Sequence, residues 1–128
     1  MDQDFTTEEA GNLTNQFSDW VADALIQLTE LETAITESGG KDLVAAKEVY
    51  NIAHNIKGLS ASFGFNLMTS IGTNICNYLR VLDDRDHVDP KAVSAHIKAF
   101  HVIIDNAILG DGGEEGRAVL TRLKQLTH

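Results

Sequence analysis

The sequence has 128 residues, of which 43% are hydrophobic and 23% charged, with one proline and one cysteine. A chain of this length can bury a core without disulfides or metal ions, and this composition excludes a disordered chain. The formal net charge of −9 argues against nucleic-acid phosphates as the main partner. Because proline is scarce and Ala, Leu, Ile, Glu and Lys are abundant, we expect an all-α protein forming a single domain over residues 1–128.

Targeting signals are not predicted. The N-terminus, Met1 to Asp4, is acidic and lacks an apolar run, so it does not resemble a secretory signal. No stretch reaches the roughly 18 apolar residues of a membrane span. The lone cysteine, Cys76, cannot form an internal disulfide and fits a reducing compartment. We therefore expect a cytoplasmic protein that contacts neither membrane nor nucleic acid.

The first predicted helix runs roughly from residue 7 to residue 37. Thr6 and Glu9 have the spacing of a capping box, and Ser38-Gly39-Gly40 ends the helix. The helical period is carried by Leu13, Phe17, Trp20, Val21, Ala24, Leu25, Leu28, Leu31 and Ile35. The pair Phe17 and Trp20 is predicted to lie in the core.

The remaining chain predicts four further helices. The second covers 41 to 63, with Asp42 as N-cap and Gly64 as terminator, and the third runs from an Asn66 cap to about 82. Asp89-Pro90 starts the fourth. Gly110 to Gly113 breaks it and is expected to be flexible, and a short fifth helix carries Val119, Leu123 and Leu126. These lengths and short links predict an antiparallel four-helix bundle with an additional short terminal helix, although the first helix could also extend beyond the bundle.

The second helix has two different faces. An α-helix advances about 100° per residue, which places Ile52, Ile56 and Phe63 opposite His54, with Val49 and Leu59 close by. This apolar stripe is typical of a helix that packs on a core. The His54 side carries Lys47, Tyr50, Asn51, Lys57, Gly58 and Ala61. His54 is therefore predicted to face solvent.

The residues around His54 suit the transfer of a phosphoryl group. A neutral imidazole nitrogen is a good nucleophile toward an acyl phosphate. Lys57, one turn away, can offset the charge of the phosphoryl oxygens. A glycine inside a helix, such as Gly58, lowers helix stability by about 1 kcal/mol relative to alanine. Its presence is explained either by the close approach of a partner or by tight packing against a neighbouring helix.

The motif His-x-x-Lys-Gly with a glycine ten residues after the histidine, here His54, Lys57, Gly58 and Gly64, resembles that of the histidine-containing phosphotransfer (HPt) domain family. The small residues Ser60 and Ala61 are similar to the family as well. The resemblance implies a four-helix bundle that carries a phosphoryl group on His54. The partners would be response-regulator receiver domains, a hybrid histidine kinase, or both, and the receiver would supply Mg²⁺.

From this we expect a monomeric, stoichiometric phosphocarrier with no cofactor or metal of its own, and not an enzyme. The predicted docking surface is Lys47, Tyr50, Asn51 and Ala61. The glycine-rich stretches, Gly39-Gly40 and Gly110 to Gly113, lack the Lys-Ser/Thr of a phosphate-binding loop, so the chain should not phosphorylate itself from ATP. His96 and His101 lie about 140° apart on a helix and cannot share a metal, so both are predicted, with His87 and His128, to be surface residues.

One position departs from the family pattern. Many members have a glutamine or glutamate 22 residues after the histidine, which bonds to the imidazole, whereas this chain has Cys76. A thiol is a poor acceptor. Asn77, Thr73 or a water molecule could orient the ring instead, and Cys76 is expected to be a small core residue.

Two other functions stay open. The chain could be a non-catalytic helical adaptor that keeps the docking surface. It could also be the excised phospho-accepting domain of a larger histidine kinase, of chemotaxis or hybrid type. The initial Met1 and the lack of a trailing linker favour a free-standing protein.

Overall fold

A computed structural model describes residues 7–81 and 86–127, with side chains from residue 16 onward. The described residues form five α-helices: α1 (Thr7–Glu37), α2 (Leu43–Ser60), α3 (Asn66–Leu79), α4 (Pro90–Asp105) and α5 (Gly113–Leu126). A 3₁₀ turn, Ala61–Phe63, follows α2. Over the described ranges there is no β-strand, so the all-α class is confirmed. The predicted capping box at Thr6 and most of the 83–87 connection lie outside the described residues.

Two helix starts follow the predicted capping. The Asp42 carboxylate accepts a hydrogen bond from the Ala45 N–H at 3.0 Å and caps α2. The Asp89 carboxylate accepts from the Lys91 N–H at 2.9 Å, with Pro90 in the first turn of α4. In both cases a side chain satisfies a backbone donor that the helix leaves unpaired.

Gly64 ends the second helical segment, as predicted. The α-helix itself stops at Ser60, earlier than the predicted residue 63, and continues as the 3₁₀ turn. Gly64 has φ 85°, its N–H donates to the Ala61 carbonyl at 3.1 Å, and the Phe65 N–H donates to the Ser60 carbonyl at 3.0 Å. This is a Schellman motif, whose left-handed residue favours glycine.

Asn66 does not cap α3. The N-cap is Phe65, which makes no side-chain capping bond, and Asn66 is the first helical residue. The Leu67 N–H donates instead to the Gly110 carbonyl at 2.8 Å, and the Gly110 N–H donates to the Gly64 carbonyl at 2.7 Å. The backbone of the glycine-rich segment therefore replaces a cap and holds that segment against the α2–α3 connection.

The helices form a closed series of contacts. Helix α1 packs against α2 and α4, and α3 packs against the same two helices, most extensively against α2. Helix α5 packs against α3 and α4. Helices α1 to α4 all contribute to the largest fully buried apolar side chains, which are Val21, Leu28, Ile35, Val49, Ile56, Met68, Ile71, Ile75, Leu79, Ile97 and Phe100. None of the described helices is long and apolar enough to cross a membrane.

Two sequence predictions about burial are wrong. Leu59, placed near the core stripe, is 42% exposed. His96, predicted on the surface, is fully buried. Its Nδ1 donates to the Ala92 carbonyl at 2.7 Å, and its Nε2 accepts from the Asn74 amide at 2.9 Å. Because both ring nitrogens are paired, a neutral histidine is accommodated there, and burial lowers the pKa of His96.

Candidate functional site

The predicted site residues lie on one open face of α2 and the turn that follows it. His54, Gly58 and Ala61 are exposed, as are Lys47 and Asn51. Tyr50 and Lys57 are half-buried. The opposite side of the helix is packed, with Ile52 and Ile56 buried in the core. The periodicity of α2 thus separates His54 from the core, as the sequence predicted.

The His54 ring lies against an aromatic ring. The centroids of Tyr50 and His54 are 6.0 Å apart, and the ring planes meet at 27°, an offset stacked arrangement. Among the residues that the structure describes, no side chain hydrogen-bonds to the imidazole. Both ring nitrogens are therefore open to an incoming group.

His54 stands between two open depressions in the surface. One is lined by Trp20, His54, Asn55, Gly58 and Leu59, and the other by Tyr50, Asn51, His54 and Asn55. Sequence reasoning missed Trp20, Asn55 and Leu59 as members of this surface. Adjacency to His54 could have indicated Asn55. The apolar residues Trp20 and Leu59 carry no such signal, since only the packing of α1 on α2 leaves them partly uncovered.

The space above Gly58 is empty. A Cβ built on Gly58 would find no heavy atom of a neighbouring side chain or element within 4 Å. Of the two reasons for a glycine at this position, tight packing against a neighbouring helix is therefore wrong. What remains is an unobstructed approach to His54 along the helix surface.

Lys57 is anchored from below by α3. A Cβ built on Gly72 would lie 3.1 Å from the Lys57 Cβ, so the helices approach closely there. The Thr69 hydroxyl donates to the Lys57 carbonyl at 3.2 Å. Within the described chain the Lys57 ammonium has no carboxylate in ion-pair distance. The Lys57 backbone is therefore held by α3, while its ammonium has no ion-pair partner among the described residues.

Cys76 does not reach the imidazole. It is fully buried, as expected of a small core residue, and its thiol donates to the Tyr50 carbonyl at 3.8 Å. Burial raises the pKa of Cys76, which the Lys57 ammonium only partly offsets, so the thiol stays protonated. Thr73 is also committed elsewhere, since its hydroxyl donates to the Thr69 carbonyl at 2.9 Å. Asn77 is exposed.

The described residues contain no group of three or more His, Cys, Asp or Glu side chains placed to hold a metal ion. His101 is half-buried, with its Nε2 3.1 Å from the Thr29 hydroxyl. His87 is exposed, with its Nδ1 2.7 Å from an Asp86 carboxylate oxygen.

Comparison with known proteins gave no match to a family model, to a curated protein or to a solved structure. Function is therefore inferred from the residues and geometry of the His54 face.

Proposed function

We propose that this chain is a histidine phosphotransfer protein of a two-component phosphorelay, with His54 as the phosphoryl acceptor. The observation that carries the proposal is an exposed histidine beside a cation and a helical glycine with empty space above it. A nucleophile so placed can enter the active site of another protein. The chain acts as a stoichiometric carrier between partners and has no ATP site.

The transfer needs little from this chain. The lone pair of the unprotonated ring nitrogen of His54 attacks the phosphorus of an aspartyl phosphate on a receiver domain. A nitrogen–phosphorus bond forms, the phosphorus–oxygen bond to the aspartate breaks, and its electron pair returns to the carboxylate. The reverse reaction passes the group to a second receiver. The receiver supplies Mg²⁺, and this chain supplies orientation and approach.

Lys57 stabilises the phosphoryl group by its charge. It lies one turn from His54, and no described carboxylate competes for its ammonium. A cation in this position can form a charge-assisted hydrogen bond with a phosphoryl oxygen. In a chain with a formal net charge of −9, such a cation matters, because the surrounding surface disfavours a further negative group.

The proposal also implies a particular helix arrangement, a cellular location and a docking surface. Helices α1 to α4 would form an antiparallel four-helix bundle with α5 as the addition, which the closed series of contacts supports. The protein would act as a cytoplasmic monomer that serves receiver domains, a hybrid histidine kinase, or both. The docking surface would comprise Lys47, Tyr50, Asn51 and Ala61, extended by Trp20, Asn55 and Leu59 along the two depressions.

The test is transfer of labelled phosphate from phosphorylated receiver domains of the source organism. We expect acid-labile, base-stable label on the parent chain and none on His54→Gln. His87→Gln removes another exposed histidine and is the matched control, which should retain the label. Normal labelling of His54→Gln would overturn the assignment. A parent chain that binds receivers but accepts no label would be a helical adaptor.

A further inference from the structure

Tyr50 and His54 lie one turn apart on α2, and their rings are stacked with centroids 6.0 Å apart. A histidine on an exposed helix surface normally samples several rotamers. Stacking on the half-buried Tyr50 ring favours one orientation of the imidazole, because the stacking energy is lost in rotamers that turn the imidazole away. Among the described residues no side chain hydrogen-bonds to the imidazole, and the Tyr50 ring is stacked on it.

We propose that Tyr50 is the positioning residue of the phosphoryl acceptor, and that it holds the His54 ring by stacking rather than by a hydrogen bond. The inference rests on the proposed function and adds to it a role for a residue otherwise assigned to docking. A hydrogen bond would commit one ring nitrogen to a partner within the chain. Stacking orients the ring and leaves both nitrogens unpaired.

The Tyr50 backbone has a partner inside the protein. The buried Cys76 thiol donates to the Tyr50 carbonyl at 3.8 Å. Cys76 therefore acts on the backbone of the residue that stacks on His54, and not on the imidazole. The burial of Cys76 and the stacking of Tyr50 on His54 are linked. Because the Cys76 side chain stays in the core, α3 offers no hydrogen bond to the imidazole from this position, and the ring is oriented by a residue of its own helix.

The test separates positioning from docking by using phosphoramidate, a small donor that makes no protein–protein contact. The His54 ring nitrogen forms a bond to phosphorus while the donor's phosphorus–nitrogen bond breaks. The electron pair goes to the leaving nitrogen, which takes a proton and departs as ammonia. Tyr50→Leu should slow this reaction by about twofold to tenfold, the range expected from the energy of an aromatic pair. Tyr50→Phe should react at close to the parent rate.

The structural readout is the proton NMR shifts of the His54 ring. In the parent and in Tyr50→Phe these shifts should carry a ring-current contribution that Tyr50→Leu lacks. Tyr50→Met, which is unbranched and favours helix, replaces the leucine variant if that variant does not fold. Val44→Leu, at an 83% exposed position of α2, is the matched control and should equal the parent in both measurements.

Each outcome decides the proposal. Parent-like rates and shifts in Tyr50→Leu would overturn it. A loss seen only with receiver domains, and not with phosphoramidate, would make Tyr50 a docking residue and would also overturn it. If the parent accepts phosphate from neither donor, the proposed function fails. The ring shifts of the same variants then still decide whether Tyr50 orients His54.

Discussion

The two faces of α2 each depend on a glycine, for opposite reasons. On the outer face, Gly58 is exposed and a Cβ there would meet nothing within 4 Å. On the inner face, the neighbouring helix α3 contributes Gly72, which is buried, and a Cβ there would lie 3.1 Å from the Lys57 Cβ and 3.3 Å from the Ala53 carbonyl oxygen. One glycine leaves room for something outside the chain, and the other lets two helices meet.

This difference shows how the site is built. The close approach at Gly72 fixes the backbone from which Lys57 projects, and the Thr69 hydroxyl bonds to the same segment. The outer face of α2 can then be exposed on a fixed backbone, because α3 packs against the other side of the helix. Substitutions of the same kind on the two faces should therefore have opposite effects on folding and on transfer.

The largest effect is expected from leucine at the two glycines. Gly72→Leu places a branched side chain between α2 and α3 and should lower the free energy of unfolding by at least about 2 kcal/mol, because a packed interface cannot absorb that volume. Gly58→Leu should keep or raise stability, by up to about 1 kcal/mol, since leucine favours helix. Chemical denaturation of both variants measures this.

In the phosphotransfer assay, the larger loss of rate is expected from Gly58→Leu, the variant that keeps its stability. Folded Gly58→Leu should accept phosphate from a receiver much more slowly than the parent, because a side chain one turn from His54 obstructs the partner's aspartate. Gly58→Ala, with only a methyl group, is the matched control and should lose less. Parent-like transfer by Gly58→Leu would show that the open space has no role in docking.

A second large effect is expected at Cys76. Cys76→Gln introduces the type of residue found at this position in many HPt domains, but here the site is fully buried and bonded to the Tyr50 carbonyl. We expect a loss of about 1–3 kcal/mol from overpacking and from burying an amide. Cys76→Val, of similar size and apolar, should cost less than about 1.5 kcal/mol. A stable Cys76→Gln variant with faster transfer would instead show that the amide reaches His54.

Features fixed by neighbours in sequence were predictable. The caps at Asp42 and Asp89, the turn at Gly64 and the exposure of His54 depend on residues within a few positions, so composition and periodicity indicate them. The cap of α3 was not predictable in this way, because its partner is the carbonyl of Gly110, far along the chain.

The same distinction explains the other errors. His96 could be buried only because Asn74 of another helix supplies its second hydrogen bond. Gly72 looks like any helical glycine until α2 is placed against it. Leu59 has the spacing of a core residue, yet the packing of the helices leaves it exposed beside His54, next to the partly buried Trp20. Burial and clearance at these positions are properties of the packed helices and are not written in local periodicity.

A smaller effect is expected from the charge of Lys57. Lys57→Ala should slow transfer or shorten the phosphohistidine lifetime by roughly tenfold, the equivalent of about 1.4 kcal/mol. Lys57→Arg should retain part of the function because the charge remains, and Lys57→Glu should be worse than alanine. All three keep the Cβ that lies beside Gly72, so their stability should stay within about 1 kcal/mol of the parent. Equal rates for the glutamate and alanine variants would show that Lys57 does not act through its charge.

The smallest effect is expected at Ser60, on the inner side of the last turn of α2. Its side chain is fully buried, and its hydroxyl has no hydrogen-bond partner in the described structure. Removing an unpaired buried hydroxyl relieves a desolvation cost, and alanine also favours helix, so Ser60→Ala should raise the free energy of unfolding by about 0.5–1 kcal/mol. Ser62→Ala, an exposed serine in the adjoining 3₁₀ turn, is the control and should change it by less than about 0.5 kcal/mol. If Ser60→Ala is destabilising, the hydroxyl has a partner in solution, and this part of the inner face is held by a polar contact as well as by apolar packing.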